Sequence, residues 1–128
     1  MARRTRGKAS EHNQLGVSFF QSGSLDLAIE QFTRATKRAP RVATYWLNLG
    51  VALLDRGELD QAKTVLEKSL KLNPQSQSVY FHLAQIHTER GDDSSARAAY
   101  LKVIDLDPRT PLAQRARELT EGWRPHLT

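Results

Sequence analysis

Four histidines, His12, His82, His87 and His126, and the pair Asp92-Asp93 are the residues whose chemistry could serve catalysis or metal binding. His82 and His87 stand five apart, so on a helix they diverge rather than share a face as the ligands of an HExxH pair do. His87 fits better as a packed core histidine with one hydrogen bond. Asp92-Asp93 opens an apolar-periodic run, where negative charge complements the positive end of a helix. No serine has a nucleophile-elbow context and no glycine cluster follows a strand pattern. The absence of cysteine removes disulfides, thiolate metal sites and thiol nucleophiles together. The expectation is a protein that is not an enzyme, with no catalytic residue, no metal site and no cofactor.

The elements that would carry other chemistry are amphipathic helices. In residues 43–76, Trp46, Leu49, Gly50 and Leu53 fall on one face of a 3.6-residue period. A break at Arg56-Gly57-Glu58 precedes a second stripe through Leu59, Ala62, Leu66 and Leu70, and Asn73-Pro74 ends it. Neither helix can bury its stripe alone. The same punctuation recurs at a shift of 34 residues in both directions. Leu15, Leu49 and Leu83 align, each followed by a small residue, Gly16, Gly50 or Ala84. Gly23, Gly57 and Gly91 follow, then Ala28, Ala62 and Ala96, then bulky Phe32, Leu66 and Tyr100, and Pro40, Pro74 and Pro108 close the copies.

Each residue type has a physical reason. Gly16, Gly50 and Ala84 let two helices approach closely, and Ala28, Ala62 and Ala96 do so from the facing helix. Gly23, Gly57 and Gly91 stand where the chain leaves the first helix, a left-handed position that glycine adopts at little cost. Ser24 and Asp92 suit the N-cap of the next helix, and Glu58 suits it less well. Phe32, Leu66 and Tyr100 are expected to fill the space between successive copies. Copy 1 is more polar, with His12 in place of Trp46 and Tyr80, and Arg38 in place of Leu72 and Leu106.

This period and pattern resemble the tetratricopeptide repeat. The resemblance covers residues 9–110 as three repeats, 9–42, 43–76 and 77–110, with no insertion between them. It implies an all-α, right-handed superhelix of three helix-turn-helix units. Thr110-Pro111 reads as an N-cap with proline at the first helical position. Residues 111–121 then resemble the family's solvating helix, with Leu112, Ala116 and Leu119 on its apolar stripe. Residues 1–8 are expected to be a disordered basic tail and residues 122–128 a frayed tail, with Trp123 folding back onto repeat 3.

The formal net charge is +5, and Arg3, Arg4, Arg6 and Lys8 place four of those charges in the first eight residues. A folded nucleic-acid binder carries its basic stripe on the body of the domain, and this body is close to neutral. No apolar run is long enough to span a membrane, and the basic N-terminus has no apolar stretch behind it as a secretory signal would. The expected location is cytoplasmic.

The resemblance also implies a partner site, since stacked first helices of this family line a concave groove. The register assigns to it Asn13, Gln14, Val17, Phe20 and Gln21 from repeat 1. Repeat 2 supplies Leu47, Asn48, Val51, Leu54 and Asp55, and repeat 3 supplies Phe81, His82, Gln85, Thr88 and Glu89. Val17, Phe20, Leu47, Val51, Leu54 and Phe81 would form one apolar patch, the kind of surface that marks an interaction site. The family's carboxylate clamp for chaperone C-termini uses Lys, Asn, Asn, Lys and Arg. The matching positions are Asn13, Val17, Asn48, Ser78 and His82, of which only Asn48 agrees, so no fixed cation remains for a terminal carboxylate. The sequence thus points to an adaptor that binds a peptide or helix with apolar anchors, with Asp55 and Glu89 placed to pair a basic residue beside them. Two alternatives stand beside it: a scaffold that self-associates through groove or end faces, and a tether using the basic tail on nucleic acid or an anionic surface.

Overall fold

The computed structural model describes residues 2–121, with side-chain surroundings from Lys8 onward; residues 122–128, including Trp123, lie outside the described residues. Seven helices account for them: α1 (Ala2–Gln21), α2 (Leu25–Arg38), α3 (Ala43–Asp55), α4 (Leu59–Leu72), α5 (Gln77–Glu89), α6 (Asp93–Leu106) and α7 (Pro111–Glu121). The chain divides into two compact units, Met1–Pro74 with α1 to α4 and Gln75–Thr128 with α5 to α7. No helix of the described residues is long and apolar enough to cross a membrane.

Within the first unit, α1 pairs with α2, α3 with α4, and α2 with α3. The tightest contacts lie inside each hairpin. A Cβ added at Gly16 would sit 2.5 Å from the ring of Phe32, and one added at Gly50 would sit 2.5 Å from Leu66 Cδ2. Phe32 and Leu66 are themselves buried, so neither can withdraw. Phe32 and Leu66 therefore fill the space beside the small residue of their own hairpins. Truncating Phe32 to alanine costs about 3–5 kcal/mol on this account.

The helix ends follow from a repeated local device. Gly23, Gly57 and Gly91 have φ of 83°, 90° and 74°. At the first of these, Ser24 N–H donates to Phe19 O at 2.8 Å and Gly23 N–H to Phe20 O at 3.1 Å. The same pair of bonds recurs after α3 and α5, closing carbonyls that the helix leaves unpaired. The caps at the other ends differ from expectation. Asp92 accepts from Ser95 N–H at 3.1 Å, but Ser24 makes no cap bond; its hydroxyl accepts from Ser22 instead. Ser76, which the pattern did not mark, caps α5 by accepting from Val79 N–H at 3.2 Å.

Leu15 departs from its register mates. Leu49 and Leu83 are buried, whereas Leu15 is 49% exposed. Helix α1 itself begins at Ala2, ahead of the boundary at residue 9. Once a helix is nucleated, each further residue adds a bond without repeating the nucleation cost, and no proline stops the extension backwards.

In the second unit α5 pairs with α6, and α7 packs on both. Its core joins Phe81, Ala84, Tyr100, Val103 and Ala116, flanked by Tyr80, Ala99, Ile104 and Leu112. Thr110 Oγ1 accepts from Ala113 N–H at 3.1 Å and starts α7 behind Pro111. The face of α7 that turns inward holds Leu112, Ala113 and Ala116, while Leu119 is 37% exposed. Gln77 Nε2 donates to Val103 O and Asp107 O at 2.7 and 2.8 Å, tying the end of α6 to the start of α5.

Candidate functional site

The face formed by α1 and α3 in the first unit carries eight of the residues assigned to the groove. Asn13, Val17 and Phe20 of α1 are half-buried, as are Leu47, Asn48, Val51 and Leu54 of α3, and Asp55 is exposed. Helices α1 and α3 touch, and the contact is marked by one polar bond: Asn48 Nδ2 donates to Asn13 Oδ1 at 2.9 Å. That bond leaves Asn48 Oδ1 as an acceptor and Asn13 Nδ2 as a donor, a pair matched to one N–H and one C=O of a peptide backbone.

The opposite faces of these helices are sealed. Gly16 on α1 and Leu49, Gly50, Ala52 and Leu53 on α3 are buried, so the half-buried set is what each helix leaves on its other side. Three polar anchors fix the frame around it. Ser69 Oγ donates to Ala43 O at 2.8 Å, joining the two ends of the second hairpin. Trp46 Nε1 donates to Pro40 O at 2.8 Å, and Lys68 Nζ lies 4.7 Å from the centre of its ring. Arg56 Nη1 meets Asp26 Oδ1 at 2.7 Å, which ties the end of α3 to the start of α2. Asp55, next to Arg56, keeps its carboxylate exposed.

The α5 residues behave differently. Phe81, assigned to the apolar patch, is only 8% exposed and stacks edge-on against Tyr100 with ring centres 5.4 Å apart. It is a core residue of the second unit, not a surface anchor. The sequence could not separate the two cases, because Phe81 sits beside the core stripe at a position where copies 1 and 2 hold Asn13 and Leu47. His82 and Gln85 are half-buried and bonded to each other, Nδ1 to Oε1 at 2.7 Å, while Thr88 and Glu89 are exposed.

The remaining candidates for chemistry resolve into packing and capping. His87 is half-buried, with Nδ1 4.0 Å from Asp92 Oδ2, so it lies at the surface end of α5 rather than in the core. The bonds from Ser95 hold the Asp92 carboxyl below its ordinary value, with the His87 ring a lesser contributor. Burial raises the Tyr100 hydroxyl above its ordinary value, against a hydrogen bond with Thr88 that lowers it. No group of three or more His, Asp and Glu side chains among the described residues could hold a metal.

Comparison with known proteins places this architecture. Two family models described as tetratricopeptide repeat match residues 13–62 and 53–119. No curated protein matches the sequence. Among solved structures, the TPR domain of Arabidopsis OM64 superimposes with a TM-score of 0.85 at 18% identity, covering 92% of this chain and 98% of that one. The first TPR of Spaghetti (RPAP3), bound to the HSP90 peptide SRMEEVD, gives a TM-score of 0.81 at 19% identity over 91% and 93% of the two chains. The Yersinia enterocolitica type III secretion chaperone SycD, in complex with a peptide of the translocator YopD, gives 0.83 at 19% identity over 88% and 89%. With the repeated glycine-terminated hairpins and a family model spanning more than half of its length, this chain belongs to the tetratricopeptide repeat family.

Proposed function

We propose that this protein is an adaptor whose α1–α3 face captures a peptide or helix of a partner protein through apolar anchors. The observation that carries the proposal is the Asn13–Asn48 bond at 2.9 Å, set among the half-buried Val17, Phe20, Leu47, Val51 and Leu54. Burying a partner side chain against such residues contributes about 1.5–3 kcal/mol per anchor before ordering costs. The free donor and acceptor of the two amides would hold the partner's backbone in register. Domains of this family are protein-interaction modules, and the RPAP3 and SycD domains named above were solved with bound peptides.

A chaperone-type C-terminal carboxylate is not the ligand this face fits. The residues at the clamp positions of α1 and α3, Asn13, Val17 and Asn48, include no cation, and Asp55 adds an exposed carboxylate close by. Like-charge repulsion selects against an acidic terminus and favours a segment with a basic residue flanking its anchors.

The test is selection from a displayed random-peptide library on the full chain, followed by affinity measurement with the selected peptides. Enrichment of apolar anchors, and loss of binding in Val51→Asp/Leu54→Asp with unchanged circular dichroism, supports the proposal. Wild-type affinity in that folded variant places capture on another surface and overturns it.

A further inference from the structure

A second surface lies away from the α1–α3 face. The start of α1 and the end of α2 enclose a cleft of about 560 Å³ lined by Lys8, Glu11, His12, Arg34, Lys37 and Arg38. Four of these six are fixed cations drawn from two helices. In the sequence they are invisible as a cluster, because Asp26 and Glu30 lie between Glu11 and Arg34 and the first repeat sums to nearly zero charge.

The cations differ in how far they are already satisfied. Arg34 pairs with Glu30 at 2.7 Å, one turn away on an exposed face. Among the described residues, Lys8, Lys37 and Arg38 have no acidic side chain within ion-pair reach. Lys37 and Arg38 stand in the last turn of α2, where positive charge complements the helix dipole. That role accounts for neither Lys8 nor Arg34. His12 is fixed in the wall by its bond to Gln31, where Nδ1 donates to the amide Oε1 at 2.6 Å.

We infer that this cleft docks an acidic segment of a protein partner, its Asp or Glu side chains pairing with Lys8, Arg34, Lys37 and Arg38. Peptide is favoured over nucleic acid by two features. Glu11 in the lining can accept a backbone N–H, a donor that a peptide offers between its acidic side chains and a sugar-phosphate backbone does not. The lining also offers no phenylalanine, tyrosine or tryptophan for a base to stack on, the usual means of holding single strands. Arginine presents a planar fork matched to carboxylates, and two arginines one turn apart on α2 fit side chains along an extended or helical acidic run.

The probe is a fluorescein-labelled decapeptide of alternating Asp and Glu, titrated by anisotropy against the full chain at low and at physiological salt. Lys37→Glu/Arg38→Glu reverses two cleft cations; Lys71→Glu/Arg97→Glu reverses two exposed cations elsewhere and changes the net charge equally. The inference expects the cleft variant to bind at least about tenfold more weakly while the control changes less than about twofold. Lys37→Gln/Arg38→Gln should show a smaller loss in the same direction. No binding by the wild type, equal loss in the two charge reversals, or tighter binding of a single-stranded oligonucleotide of the same formal charge would overturn it.

Discussion

Asn48 Nδ2 donates to Asn13 Oδ1 at 2.9 Å, joining residues 35 apart in the chain. The bond couples α1 to α3 on the face that carries the half-buried Val17, Phe20, Leu47, Val51 and Leu54. Both amides are half-buried, so removing one leaves its partner short of a bond. Asn48→Leu should cost about 1 kcal/mol, and Asn13→Leu/Asn48→Leu should cost less than the sum of the two single changes. Thermal or urea unfolding of the four proteins measures the coupling directly.

Gly50→Leu should be the more damaging change on α3. Even a Cβ there would lie 2.5 Å from Leu66 Cδ2, and Leu66 is fully buried. Overpacking of this kind costs about 1–3 kcal/mol, and the added branches push it toward the upper end. Equal stability losses in Gly50→Leu and Asn48→Leu would contradict the assignment of Gly50 to the packed side of α3.

How much of this was legible in the sequence depends on whether a residue's role is local. Gly23, Gly57 and Gly91 announced the helix ends because a positive φ is set within a few residues. Gly50 announced its close contact because only a small residue at that register allows one. Leu15 has the right type at the right register and is nevertheless exposed, since what covers a leucine is a neighbouring helix that its own local sequence does not report. Phe81 erred the other way: a residue beside the core stripe became core because α6 and α7 bring Tyr100 and Ala116 to it. The cleft at Lys8 and Arg34 needed the hairpin itself to bring its two ends together.

Two titrations should act in opposite directions. Tyr100 has an ordinary value of 10.0 and is raised by burial, so its contribution to stability is complete below pH 10 and is lost as pH rises through the higher folded value. The stability of the wild type relative to Tyr100→Phe should therefore fall above pH 10. Asp92 is lowered from 3.8 by its bonds with Ser95, so its contribution is complete above that value and is lost as pH falls through the folded value. Melting of wild type, Tyr100→Phe and Asp92→Ala across pH checks both signs; parallel curves for wild type and a variant would contradict that assignment.

Deleting residues 111–128 removes α7, which buries Ala113 and Ala116 and covers part of the Phe81–Tyr100 cluster. The truncated chain should lose about 2 kcal/mol or more from the apolar surface returned to water. An unchanged melting temperature would mean that α7 adds nothing to the second unit.

Partner capture at the α1–α3 face, as proposed, is tested by NMR mapping with a peptide selected on the full chain. The side-chain amide signals of Asn13 and Asn48 and the backbone signals of Val17 and Val51 should move first and saturate together as peptide is added. Changes confined to α2 and α4, or to α5 through α7, with the two asparagine amides still in place, would contradict it.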